Sequence, residues 1–342
     1  MRDDDRMMGL PPDFGSGVVG VCDICGTRQA VIVLSKERYK LCVLDFLNKT
    51  WIRSDKSPGA PLPPYRSERV WFETDETPDR KAPGVRLVPT KTVRHPIVLV
   101  TPDVYGITTT LLDAAIRFAR EGFEVMLPDI GKTAGVGMRE HLATRATARL
   151  RGGVDLGAKP VARLVRLYQD ALDYLRAREM VDPAKSAVFG TSYGASVALG
   201  LAAQDLRLGA AVLAYPAPTR PAGLAGLVTA PMLFVDAPAD PVCQRSRAQF
   251  EATRAAIRIP LELSTFPGAR RDFLSRDLSS YDLPTAEAAW TQIVGFLKRA
   301  LMPPPPKPPA PPVRTTLPFP PAAAAALRPT AAPNSPVPAP HP

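Results

Sequence analysis

The residues best placed to do chemistry lie in one stretch, Lys185 to Ala203, KSAVFGTSYGASVALGLAA. Ser186 to Phe189 is a short apolar run of strand type. Gly190-Thr191-Ser192-Tyr193-Gly194 fits G-x-S-x-G, and Ala195 onward is a small-residue segment suited to a buried helix. A serine in the sharp turn between a strand and a helix stands exposed at the sheet's carboxyl edge, where its hydroxyl can act as a nucleophile. The flanking glycines have a steric reason: lacking Cβ, they let strand and helix approach closely around a strained turn. A bare G-x-S-x-G is common by chance, and the strand before it and helix after it are what give it meaning. The bland alternative is a plain βα turn.

Such a serine needs a base to take its proton, a carboxylate to orient that base, and donors for the oxyanion. Asp240 follows the strand-like Met232 to Asp236 in FVDAPADPV and suits the acid. Asp236 is its rival but lies closer to the strand. The oxyanion donors are expected to be the backbone N–H of Tyr193 and one near Val104, in the loop after the first parallel strand. The base is harder to find. The histidines are His95, which precedes its strand at the end opposite the site, His141, in a segment that could fold over the pocket, and His341, in the tail.

A second cluster, VCDICGTRQAVIVLSKERYKLCVLD, holds three of the four cysteines. Cys22 and Cys25 form a C-x-x-C knuckle; Cys42 follows after sixteen intervening residues, with Asp45 three positions beyond it. Three thiolates and a carboxylate can hold a structural zinc, and a segment this short needs such a cross-link to fold. A thiol redox pair and unligated cysteines are the alternatives; no thioredoxin-like βαβ pattern surrounds the motif.

A chain of 342 residues with 45% hydrophobic content allows one large domain plus something small. Residues 1–18 read as disordered, 19–53 as a small N-terminal zinc-ribbon-like module, and 54–66 as a Pro/Gly-bearing linker. From there strand and helix patterns alternate through residue 301, as a mostly parallel α/β sheet with helices on both faces requires. Strands are expected from Val70, Val85, Ile97, Phe123, Ser186, Ala210, Met232 and Leu261. Helices are expected at Thr109 to Glu121, Val161 to Arg178, Ala195 to Ala203, Arg245 to Arg258 and Thr285 to Ala300. Residues 302–342 are so rich in proline and alanine that packing is prevented, which predicts a disordered, polyproline-like tail.

The net charge of +10 is spread over helical segments without a dense Lys/Arg run. With no basic-aromatic surface on the cysteine segment, nucleic acid is not an expected partner. No stretch of about 18 apolar residues reads as a spanning helix, and no signal-peptide core is present. The expectation is a cytoplasmic protein without a membrane partner or an organic cofactor. A protein partner could dock on the zinc segment or the proline-rich tail.

Residues 84–300 resemble the dienelactone hydrolase family of α/β-hydrolases. The resemblance is carried by IVLVTPDVYGI at 97–107, VMLPDI at 125–130, the elbow, the Asp240 loop, and TFPGARRDF at 265–273. It implies an α/β-hydrolase fold and hydrolysis of a small ester or lactone. Two departures stand out. The family usually has cysteine where Ser192 stands, and the family's catalytic histidine position is here Arg271. Guanidinium offers no lone pair and stays charged at neutral pH, so Arg271 is not a general base. Asp103 corresponds to an acidic residue beside the family's nucleophile, and is expected either to act as a weak base or to pair with Arg271. An Asp240 to Arg271 ion pair is also expected, because a carboxylate built to hold imidazolium accepts guanidinium as readily. Two readings follow: a weak serine-type hydrolase, or a non-catalytic descendant that holds an anionic ligand or scaffolds a complex.

Overall fold

A computed structural model of the chain describes residues 64–91, 93–102, 107–129, 153–257, 259–276 and 278–302, with the backbone of four short strands nearer the N-terminus. Those strands form two antiparallel pairs, β1 (Gly20–Val21) with β2 (Gln29–Ala30) and β3 (Ile32–Leu34) with β4 (Tyr39–Leu41). Cys22, Cys25, Cys42 and Asp45 lie outside the described residues, as does the proline-rich tail. Among the described residues no group of three or more metal-ligating side chains gathers.

Apolar runs from Tyr65 onward build one eight-stranded sheet from β5 (Tyr65–Glu73), β6 (Lys81–Pro89), β7 (His95–Thr101), β8 (Glu124–Pro128), β10 (Val181–Thr191), β11 (Ala210–Ala214), β13 (Met232–Asp236) and β14 (Leu261–Thr265). Its order is β14-β13-β11-β10-β7-β8-β6-β5. β5 and β6 pair antiparallel and β6 runs antiparallel to β8, while every pair from β8 to β14 is parallel. β9 (Val154–Asp155) and β12 (Thr219–Arg220) make a small separate parallel pair that periodicity did not suggest, because two residues are too few to show a period.

Central strands alternate between two cores, as the period of two demands. Val98, Val100, Phe189, Val212 and Val235 face one core, which α1 (Thr109–Arg120) and α5 (Leu283–Leu301) cover with Phe118, Ile293 and Trp290. Leu99, Val188, Leu213 and Phe234 face the other, closed by α2 (Lys159–Arg176) and α3 (Ser192–Gln204). The Leu164, Leu167, Leu172 and Leu175 stripe of α2 is wholly buried there. Each such leucine contributes roughly 1.5–3 kcal/mol by leaving water.

The expected helix from Arg245 begins four residues earlier, as α4 (Pro241–Thr253), with a 3₁₀ turn at Arg254–Ala256. The cause is local: Asp240 caps the helix and Pro241 occupies its first turn, where a missing N–H costs nothing. At the end of α3, Asp205 is held by Arg176 and Gln169 and by the backbone N–H of Arg207 at 2.9 Å. Among the described residues no helix is long and apolar enough to cross a membrane.

Candidate active site

β10 runs to Thr191 and α3 starts at the next residue, so Ser192 itself takes the turn. Its φ is +51°, in the left-handed region that a residue bearing Cβ enters at a cost of roughly 1 kcal/mol or more. The neighbouring glycines make that turn possible. A Cβ at Gly190 would lie 2.4 Å from Thr101 Oγ1 and 2.6 Å from the Gly194 carbonyl, and one at Gly194 would lie 2.7 Å from Thr101 O. Thr101, at the end of β7, places its hydroxyl 2.9 Å from Gly194 O and 3.1 Å from Phe189 O, bridging the strand before the serine and the helix after it.

Ser192 is 3% exposed, so the side chain expected to stand open at the sheet edge is buried, and Ser196 Oγ donates to Ala217 O at 2.9 Å, tying the first turn of α3 to the segment after β11. The first N–H groups of an α-helix have no acceptor within the helix itself, and Thr191, the N-cap of α3, makes no side-chain cap there. They leave a concentration of partial positive charge beside the serine hydroxyl, suited to a developing oxyanion.

The parallel register brings the other candidates to the same edge. Thr191 pairs with Ala214, Ala214 with Val235, and Asp236 with Thr265, so the loops after β10, β11, β13 and β14 all leave the sheet on the side of Ser192. Asp240 sits in the β13 loop, and its Oδ1 accepts the N–H groups of Val242 at 2.8 Å and Cys243 at 3.2 Å. Asp236 is fully buried and pairs with Arg247 at 3.1 Å; burial pushes its carboxyl up, with Arg247 pulling the other way. Cys243 is fully buried, and burial pushes its thiol up, so it is a packed side chain and no nucleophile.

Arg271 lies in the loop after β14, which is joined to the Asp240 loop by Ala239 N–H donating to Ala269 O at 3.1 Å. The expected ion pair between Asp240 and Arg271 is absent. Arg271 Nε instead lies 3.6 Å from Asp272, the next residue, because Asp240 is turned to the start of its own helix. Arg271 Nε and Nη1 are buried and make no hydrogen bond among the described residues.

Asp272 is the residue that sequence reasoning passed over. Its φ is +65°, and burial pushes its carboxyl up to about 6, with the Asp240 charge adding to that and Arg271 opposing it. The signal available was an acidic residue directly beside the position where a base is missing.

His95 stands at the start of β7, six residues before Thr101 touches the elbow, and so lies at the far end of the sheet as expected. Asp103, Val104, His141 and His341 are outside the described residues.

Comparison with known proteins agrees with this architecture. A curated Saccharolobus solfataricus protein provisionally named a carboxymethylenebutenolidase is 23% identical over 228 residues, spanning 59% of this chain and 88% of that protein. The structure of a dienelactone hydrolase-like promiscuous phosphotriesterase from metagenomic libraries superposes with a TM-score of 0.54 at 20% identity, covering 69% of this chain and 98% of that one. The structure of dienelactone hydrolase from Anabaena variabilis does so with a TM-score of 0.52 at 17% identity, covering 70% and 99%. These likenesses establish the α/β-hydrolase fold. The model of the dienelactone hydrolase family matches residues 83–301, the sheet beyond β5 save the first two residues of β6, together with the elbow and both acid-bearing loops, and the chain belongs to that family.

Proposed function

We propose that the protein is a serine-type hydrolase of small esters or lactones, with Ser192 as nucleophile, the N–H of Tyr193 as one oxyanion donor, and a turnover limited by the absence of histidine at position 271. The observation that carries this reading is the left-handed backbone of Ser192, held by two glycines whose Cβ atoms would collide with Thr101. A strained serine at a strand-to-helix turn is an expense that a plain βα connection has no reason to bear. Asp240 is the acid of this reading, and its capping bonds to the Val242 and Cys243 N–H groups fix its direction. Loss of one member of a nucleophile–base–acid set commonly leaves about 10³ to 10⁴ of acceleration over water. Slow hydrolysis is therefore the expected activity.

The test is reaction of the folded protein with a fluorophosphonate, with the adduct located by peptide mass spectrometry. Modification of Ser192 supports the reading, and an unmodified Ser192 in folded protein ends it.

A second reading has its own support. Among the described residues Arg271 presents two buried nitrogens, Nε and Nη1, without a hydrogen bond, which an anionic ligand could satisfy without any reaction. Saturable binding of a small carboxylate with no phosphonate labelling would favour that non-catalytic descendant.

A further inference from the structure

The loop after β14 does not stay above its own strand. β14 lies three strand spacings from β10, roughly 14 Å, with β13 and β11 between them. Phe266 N–H donates to Asp236 O at 3.3 Å, and Ala239 N–H to Ala269 O at 3.1 Å, so the loop first crosses the end of β13. Phe273, fully buried, then packs its ring 5.6 Å from that of Tyr215. Tyr215 directly follows β11, whose last residue pairs with Thr191, the neighbour of Ser192. The Phe273 ring thus lies against the residue that follows β11, the strand beside β10, on the same sheet edge as Ser192.

The Asp272 carboxylate is also unlike the others on this edge. Asp240 is committed to the start of α4, Asp236 to Arg247, and Asp282 to the Thr285 N–H at the start of α5. Asp272 has one ion-pair partner among the described residues, Arg271, at a distance too long for a hydrogen bond, and its side chain is 25% exposed. Its left-handed backbone is held by a tight turn in which Phe273 N–H donates to Arg270 O at 3.2 Å and Ser275 N–H to Asp272 O at 2.8 Å.

We propose that Asp272, in place of the missing histidine, takes the proton of Ser192; this rests on Ser192 being the nucleophile. In acylation the Ser192 Oγ–H bond breaks, its proton passing to an Asp272 carboxylate oxygen. Oγ bonds to the ester carbonyl carbon, and the carbonyl electron pair moves onto oxygen beside the Tyr193 N–H. Asp272 returns the proton to the departing alkoxide as its C–O bond breaks. In deacylation water gives a proton to Asp272, its oxygen bonds to the acyl carbon, and the proton goes back to Ser192 Oγ as the acid leaves. Arg271 is a positioning residue, holding the ionised carboxylate in place. A carboxyl that loses its proton near pH 6 is a usable base at neutral pH, where an ordinary one is too weak.

The test follows the rate of fluorophosphonate labelling at Ser192 against pH in the full chain, in D272N and in D272G. Asparagine and glycine both tolerate a positive φ, so both variants keep the turn. For the wild type the rate is expected to rise about tenfold from pH 5 to pH 7, as a base titrating near 6 requires. D272N is expected to label at least about 100-fold more slowly with a flat profile, and added formate to restore part of the D272G rate. Labelling of folded D272N at the wild-type rate and with the wild-type profile overturns this assignment while leaving Ser192 the nucleophile. No labelling of the wild type removes both.

Discussion

Replacing Gly190 with alanine tests the elbow most directly. The new methyl would sit 2.4 Å from Thr101 Oγ1 and 2.6 Å from both the carbonyl carbon and oxygen of Gly194. Two of those three atoms are backbone, so a rotamer change cannot relieve the contact. α3 must move off β10, or the Thr101 side chain must turn away and give up its hydrogen bond to Gly194 O or Phe189 O. Forcing one carbon into a packed site costs about 1–3 kcal/mol, and the lost buried hydrogen bond about 1 more. The expected loss is therefore about 2–4 kcal/mol, which lowers Tm by roughly 4–16 °C in a domain of this size. Gly268→Ala is the control: nothing lies within 4 Å of its added Cβ, and its φ of +80° leaves only backbone strain of about 1 kcal/mol. Urea unfolding gives both stabilities, and phosphonate labelling reports whether Ser192 still faces its oxyanion donors. A Gly190→Ala protein within about 1 kcal/mol of wild type, labelling at the wild-type rate, would refute the tight-elbow geometry on which the catalytic reading depends.

Four further outcomes are expected. Asp240→Ala removes the cap of α4 and should cost about 1 kcal/mol, whereas Asp240→Asn should keep the cap and the stability yet still slow labelling; equal stability losses in both would count against the capping role. Burial alone would raise the Asp205 carboxyl, but Arg176, Gln169 and the Arg207 N–H outweigh it and hold it at about 2. Its contribution of about 2 kcal/mol is present above pH 4 and lost as pH falls towards 2, so Arg176→Met should cost about 3–5 kcal/mol near neutrality and lose that acid dependence in urea titrations. The Asp272 carboxyl is shifted the other way, so its contribution is present below about pH 4 and lost as pH rises through about 6. D272N should accordingly match wild type at pH 4 and exceed it by about 2–3 kcal/mol at pH 8; equal stabilities at pH 8 would contradict the burial of that charge. For the cysteine segment, about one zinc per chain is expected in purified protein, and a ratio near zero without loss of fold would reject a metal there.

Much of this molecule is decided locally. The continuous apolar runs over Ile97–Thr101 and Ala210–Ala214, the leucine stripe of α2 and the G-x-S-x-G between a strand and a helix are short-range patterns, so strand, helix and elbow can be read from neighbours alone. Local chemistry was also misread once: Asp240-Pro241 carries the signature of a helix start, but attention to its carboxylate as an acid hid the cap and set the helix four residues late. What the chain alone could not disclose are pairings between residues far apart in sequence. Thr101 bridges the strand and helix around Ser192 from about 90 positions away, and the Phe273 ring reaches Tyr215 only because β14 is the edge strand and its loop folds back across β13. That Arg271 does not meet Asp240, 31 positions before it, has the same reason, since whether a guanidinium finds a distant carboxylate depends on how two loops leave the sheet. Strand order and register set those directions, and both are properties of the whole sheet, which no single window of residues contains.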